Sequence, residues 1–218
     1  MARESLEPRQ ERSRESLRKL QKATAQVLGL HGVEGTTIPR IARHAGLTPG
    51  AIYRRFHDKD ALLEATILGI LERQRERLRA GMTPEMVRQI PLPVFADQII
   101  DSMIVSYRAN AALLHAIYQF CQARVNQPFW KKAARLEIES FEHLVDLFMT
   151  HRKEVRSANP RSAIATGLFM VGSTLFKLLI EQGDPKIWKD LLPKDDQALR
   201  RELVHAFLAY LGVEAKEK

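Results

Sequence analysis

Residues 36–63 read TTIPRIARHAGLTPGAIYRRFHDKDALL, and this stretch decides the fold. Ile38, Ile41, Ala42 and Ala45 recur at i, i+3, i+4 and i+7, the spacing of one apolar face on a two-turn helix. Thr37 stands where a side-chain oxygen caps the first free amides, and Gly46 stands where the helix must end. Thr48 and Pro49 open a second short helix: the hydroxyl caps, and proline at the first helical position loses no hydrogen bond. Two short helices joined by a tight glycine turn are a helix-turn-helix. Gly46 can take the left-handed conformation that the turn needs, and Leu47 is expected to plug the turn into the core.

On the second helix Ile52 and Phe56 are four apart and share the buried face. Stepping about 100° per residue from Ile52 puts Gly50 and Arg54 opposite that face, with Ala51 and Tyr53 flanking it and Arg55 near its other border. The outward surface therefore begins with almost no side chain and then offers Tyr53, Arg54 and Arg55. Small residues let a helix N-terminus approach a phosphate or a base edge. Arginine can take both acceptors of a guanine, and tyrosine can bond a phosphate. The helix start adds free N–H groups and a positive dipole end. Thr37 and Thr48 can offer hydroxyls to phosphates, and Lys59, at the start of a fourth helix, can pin the backbone.

The charge agrees with this reading. The 218 residues carry a net charge of +8, and residues 1–59 alone hold 12 Lys+Arg against 6 Asp+Glu. A basic first quarter on a near-neutral remainder fits a module that faces a polyanion. Within residues 1–15, however, Arg3, Arg9, Arg12 and Arg14 alternate with Glu4, Glu7, Glu11 and Glu15, so this arm is expected to add only a backbone contact.

The residues TTIPRIARHAGLTPGAIYRRFHDKDALLEA carry a resemblance to the DNA-binding module of the tetracycline-repressor (TetR) family of bacterial regulators. Thr37, Ile41, Ala42, Ala45, Gly46, Leu47, Gly50, Tyr53, Phe56, Lys59, Leu62 and Leu63 fall where the family pattern expects their types. Ala51 departs from the small hydroxyl residue that many members carry, and Pro39 replaces a more usual polar residue. The resemblance implies an all-α protein: a three-helix DNA-binding domain with its N-terminal arm over 1–65, then a helical ligand-binding and dimerisation domain over 66–218. It also implies a homodimer on double-stranded DNA, most simply a repressor released from a near-palindromic operator by a small molecule.

The remainder reads as helix throughout. After the fourth helix, from about 59 to 81, three prolines in 83–93 mark a break. Helices are then expected over 93–109, 111–125, 129–151, 160–182 and 196–211, with a loop over 183–193. Within the first three of these, Met103, Tyr107, His115, Tyr118, Cys121, Gln122, Trp130 and Phe141 are the candidate lining of an effector pocket. Their composition suits an apolar or aromatic molecule. In the last two helices Phe169, Gly172, Leu175, Phe176, Leu179, Leu203, Phe207 and Tyr210 are the candidate dimer surface, two helices from each chain forming a four-helix contact.

Other classes find little support. One cysteine, Cys121, allows no internal disulfide and no four-cysteine zinc site. No His pair stands at i, i+4, and neither a glycine-rich phosphate loop nor a nucleophile elbow is present. No catalytic residues, metal or cofactor are expected. The charged start lacks the apolar core of a signal peptide, and no run reads as a membrane span, so a cytoplasmic location is expected. The competing reading keeps the DNA-binding head but replaces the ligand switch with a protein partner for the helical body.

Overall fold

The computed structural model describes residues 7–181, 193 and 195–213, with only the helical backbone for 7–13. Among these residues there are nine α-helices and no strand. They are α1 (Glu7–Gly35), α2 (Ile38–Ala45), α3 (Pro49–Tyr53), α4 (Lys59–Gly81), α5 (Pro84–Val87), α6 (Leu92–Gln122), α7 (Pro128–Phe148), α8 (Pro160–Leu179) and α9 (Asp196–Tyr210). The fold is all-α, as the sequence implies. The side chains of Arg3, Arg9 and Arg12, and most of the loop expected at 183–193, lie outside the described residues.

Packing groups the chain into two compact units that are not continuous in sequence. One comprises Met1–Arg73 with Ala112–Leu136, the other Gln74–Ala111 with Glu137–Lys218. α4, α6 and α7 each give one part to either unit.

The first unit holds two apolar clusters. Leu20 and Val27 of α1, Ile38, Ile41 and Ala42 of α2, Ile52 of α3 and Leu62 of α4 form one, with Ala45 and Phe56 against it. The other gathers Leu28, Leu63 and Ile67 with Ala116, Ile117, Phe120, Phe129 and Ala133. Each fully buried Leu or Ile contributes about 1.5–3 kcal/mol, so this core dictates the arrangement of the short helices. In the second unit the Phe95 and Phe148 rings lie 4.5 Å apart, and Phe148 meets Phe207 edge-on at 5.4 Å. Arg200 ties α9 to α6 through Asp97 at 3.2 Å and Asp101 at 2.9 Å, and Arg108 grips Asp196.

At Gly32 the backbone leaves the helical region, with φ 66° and ψ −176°, so α1 is two helices joined across a kink, the second running to Gly35. The Thr36 hydroxyl takes up the carbonyl freed at Gly32, at 2.6 Å. Asn110, with φ −122° and ψ 15°, likewise divides α6 into two helices across a kink, at the boundary expected between 93–109 and 111–125. By length and composition alone, α8 is apolar enough to cross a membrane. Its Leu168, Val171 and Leu175 are buried in the second unit's own core.

Candidate nucleic-acid interface

The turn between α2 and α3 is built by backbone hydrogen bonds. Gly46 sits in the left-handed region with φ 66° and ψ 33°. Its amide donates to the Arg43 carbonyl, and the Leu47 amide donates to Ala42 at 2.8 Å, the paired bonds of a Schellman ending. Leu47 does not plug the core: it is 37 % exposed. The core side of the turn is filled by Ile41, Ile52 and Phe56, so Leu47 is left on the surface.

Thr37 accepts from the Arg40 amide at 3.4 Å, and Thr48 accepts from the Ala51 amide at 3.2 Å. Each cap is worth about 1 kcal/mol, and each hydroxyl keeps its own proton to donate. α3 is short, yet its hydrogen bonding runs on: Arg54 N donates to Gly50 O at 3.1 Å, and Phe56 N to Ile52 O at 3.0 Å. Tyr53, Arg54 and Arg55 therefore follow one continuous turn. Ile52 is fully buried, Ala51 is half-buried, and Thr37, Thr48, Pro49, Gly50, Tyr53, Arg54 and Arg55 are exposed. Tyr53 shows 55 % of its surface.

Gly50 has no structural reason to be glycine. Its φ is not positive, and a Cβ built on it meets nothing within 4 Å. Glycine inside a helix costs about 1 kcal/mol relative to alanine. The missing side chain thus leaves a bare patch of backbone on the outward face, beside two arginines.

Lys59 is half-buried, and its Nζ donates to the Val33 carbonyl at 3.3 Å, which fixes it against the end of α1. Two of its three protons remain for another acceptor. The sequence reading passed over α2 itself, where Arg40, Arg43 and His44 are exposed. His44 Nε2 is 3.0 Å from Gln26 Oε1 of α1. The i, i+3 arginines were the available signal. It was missed because α2 was read only for its apolar face.

Of the eight candidate pocket residues, five belong to the first unit and three to the second. Tyr118 and Gln122 border a cleft of about 770 Å³ between the end of α1 and the end of α6. His115, Cys121 and Trp130 are half-buried in the same unit, and Cys121 packs against its second cluster. Met103, Tyr107 and Phe141 belong to the other unit and are half-buried there. Burial raises the Tyr107 phenol, with the charge of Glu137 adding to the shift, and desolvation also holds the Glu137 carboxyl above the ordinary glutamate range.

The candidate dimer residues divide. Phe169 and Tyr210 are 67 % and 46 % exposed, and Met170 stands beside Phe169. Leu175, Leu179, Leu203 and Phe207 are buried within the unit, while Gly172 and Phe176 are half-buried. Among the described residues no group of three or more His, Cys, Asp or Glu is placed to hold a metal ion.

A helix-turn-helix with a basic outward face on an all-α chain defines a DNA-binding regulator. The family model described as bacterial regulatory proteins, tetR family, matches residues 20–66, and the tetracyclin repressor-like C-terminal domain matches residues 91–211. The chain belongs to the TetR family of DNA-binding transcriptional regulators. It is 31 % identical over 144 residues to the HTH-type transcriptional regulator BetI of Cronobacter sakazakii, covering 66 % of this chain and 67 % of that one. With BetI of Stenotrophomonas maltophilia it shares 26 % identity over 159 residues, 70 % of this chain and 78 % of the other. Among solved structures, a TetR transcription regulator from Haloarcula marismortui has the same fold, with TM-score 0.62 and 17 % identity over 91 % of this chain and 97 % of that one. The regulator FadR from Bacillus subtilis, in complex with stearoyl-CoA, gives TM-score 0.61 and 13 % identity over 90 % and 98 %.

Proposed function

We propose that this chain is a homodimeric, cytoplasmic repressor, not an enzyme, released from a near-palindromic operator by a small apolar or aromatic effector. The observation that carries the reading is Gly50. A helical glycine with open space around it and no positive φ makes sense when something outside the chain must come close. Tyr53, Arg54 and Arg55 lie on the same exposed surface. Arg54 is assigned to base edges, with Tyr53 and Arg55 beside it. Thr37, Thr48 and Lys59 are assigned to phosphates.

The head is assigned to residues 1–65 and the effector and dimer functions to 66–218. Exposed Phe169, Met170 and Tyr210 are the proposed centre of the contact between two copies. Two heads so joined would enter successive major grooves about 34–36 Å apart. An effector need not touch DNA; it needs only different affinities for the two head spacings. An apolar effector is supported by the related fold of FadR, which binds stearoyl-CoA, and by the aromatic and Met content of the candidate lining.

The test is fluorescence anisotropy with a duplex from upstream of the protein's own reading frame beside a scrambled duplex. The native sequence should win by about 10³ or more at physiological salt, with a steep salt slope. Equal binding to both, abolished by salt, would overturn sequence-specific recognition of that region.

A further inference from the structure

Arg124 and Asp60 are 64 residues apart in sequence and joined by an ion pair between Nη2 and Oδ2. The guanidinium has two further contacts. Nη1 donates to the Phe120 carbonyl at 3.2 Å, and its carbon lies 3.6 Å from the centroid of the Phe120 ring. Phe120 is fully buried and meets Phe129 edge-on at 5.6 Å. The charge is thus anchored to the core at one end and delivered to the first turn of α4 at the other. Its side chain is only 16 % exposed, whereas that of Asp60 is 47 % exposed.

Asp60 is not needed to cap α4. Asp58 does that, its Oδ1 accepting the Ala61 amide at 2.8 Å. The neighbour of Asp60 is Lys59, already held to Val33. Only residues 54–58 separate α3 from α4, and Ile52 and Leu62 bury in one cluster. A shift of the first turn of α4 therefore carries α3 with it.

We propose that Arg124 is a positioning residue for DNA binding: through Asp60 it fixes the first turn of α4, and with it Lys59 and the outward face of α3. This rests on the regulator reading above. It differs from a plain charge effect in sign. Asp60→Asn removes a negative charge from a surface that meets a polyanion, so electrostatics alone would tighten binding to every duplex. Loss of positioning weakens binding to the correct duplex instead.

The experiment compares the intact protein with Asp60→Asn, Arg124→Lys and Asp60→Glu, using an operator selected by the intact protein and a scrambled duplex. Hydrogen exchange of residues 48–63 is read on the same samples, with thermal melts to exclude unfolding. Asp60→Asn and Arg124→Lys should bind the operator about tenfold more weakly, a loss on the scale of one base contact. The scrambled duplex should be bound no more weakly, and exchange over 48–63 should quicken. Asp60→Glu, which keeps the charge, should recover most of the operator affinity. Operator binding by Asp60→Asn as tight as that of the intact protein, or unchanged exchange over 48–63, would overturn the proposal. If the intact protein selects no operator, the regulator reading fails and the clamp is judged on exchange alone: faster exchange in both variants supports it, and parental exchange overturns it.

Discussion

Gly167 of α8 packs against the ring of Phe207 of α9 so closely that a Cβ on Gly167 would lie 2.8 Å from Phe207 Cε2 and 2.9 Å from Cδ2. The ring is fully buried and held edge-on by Phe148, so it has no free space to enter. Gly167→Ala sets a helix gain of about 1 kcal/mol against overpacking of about 1–3 kcal/mol. A net loss is expected, lowering the melting temperature by a few degrees, at about 2–4 °C per kcal/mol for a chain of this size. A melt at or above the parental temperature would show that α8 and α9 do not approach this closely.

Gly50→Ala separates stability from function. Nothing obstructs the new methyl, so the chain should melt at the same temperature or slightly higher. Operator affinity should fall by about tenfold, the scale of a lost base contact. Parental affinity in a folded Gly50→Ala protein would show that the bare backbone at Gly50 faces no partner.

The two basic roles should part in their sequence dependence. Arg54→Ala should relax base preference at one position of each half-site, at about 1–3 kcal/mol. Lys59→Ala should weaken binding to all duplexes alike and reduce the salt slope by about 1. Affinities for a set of single-base operator variants check both. Equal losses on every duplex for both substitutions would contradict the assignment.

Much of the head was legible because its signals are local. The α2 stripe, the Thr37 and Thr48 caps and the left-handed Gly46 each act within about one helical turn. The failures share a different origin. Leu47 looks like a plug until Ile41, Ile52 and Phe56 are seen to fill that space. The burial of Leu175 and Phe207 inside their own unit is not legible, because apolar periodicity does not say whether a neighbour lies in the same chain. Arg124 carries no signal at all, since its partner lies 64 residues away.

Glu137 predicts a pH effect. Desolvation raises its folded pKa above the unfolded value, so the folded state binds the proton more tightly. Its contribution is favourable below the ordinary glutamate range, near pH 4, and is lost as pH rises through the raised folded pKa. Glu137→Gln removes that loss. The variant should melt higher than the parent at neutral pH, and the difference should shrink on acidification. A gap that is constant from acid to neutral pH would show that the carboxylate is not desolvated.

The central claim is sequence-specific DNA recognition by the α2–α3 head, and selection from a random duplex pool tests it most directly. The intact chain is allowed to bind at physiological salt, and the retained duplexes are sequenced over successive rounds. The predicted result is one enriched near-palindrome, its half-site centres separated by about one helical turn or a whole multiple of it, that is enriched less strongly by Gly50→Ala. Retention of duplexes without a common motif, or the same motif enriched equally by Gly50→Ala, would contradict the account.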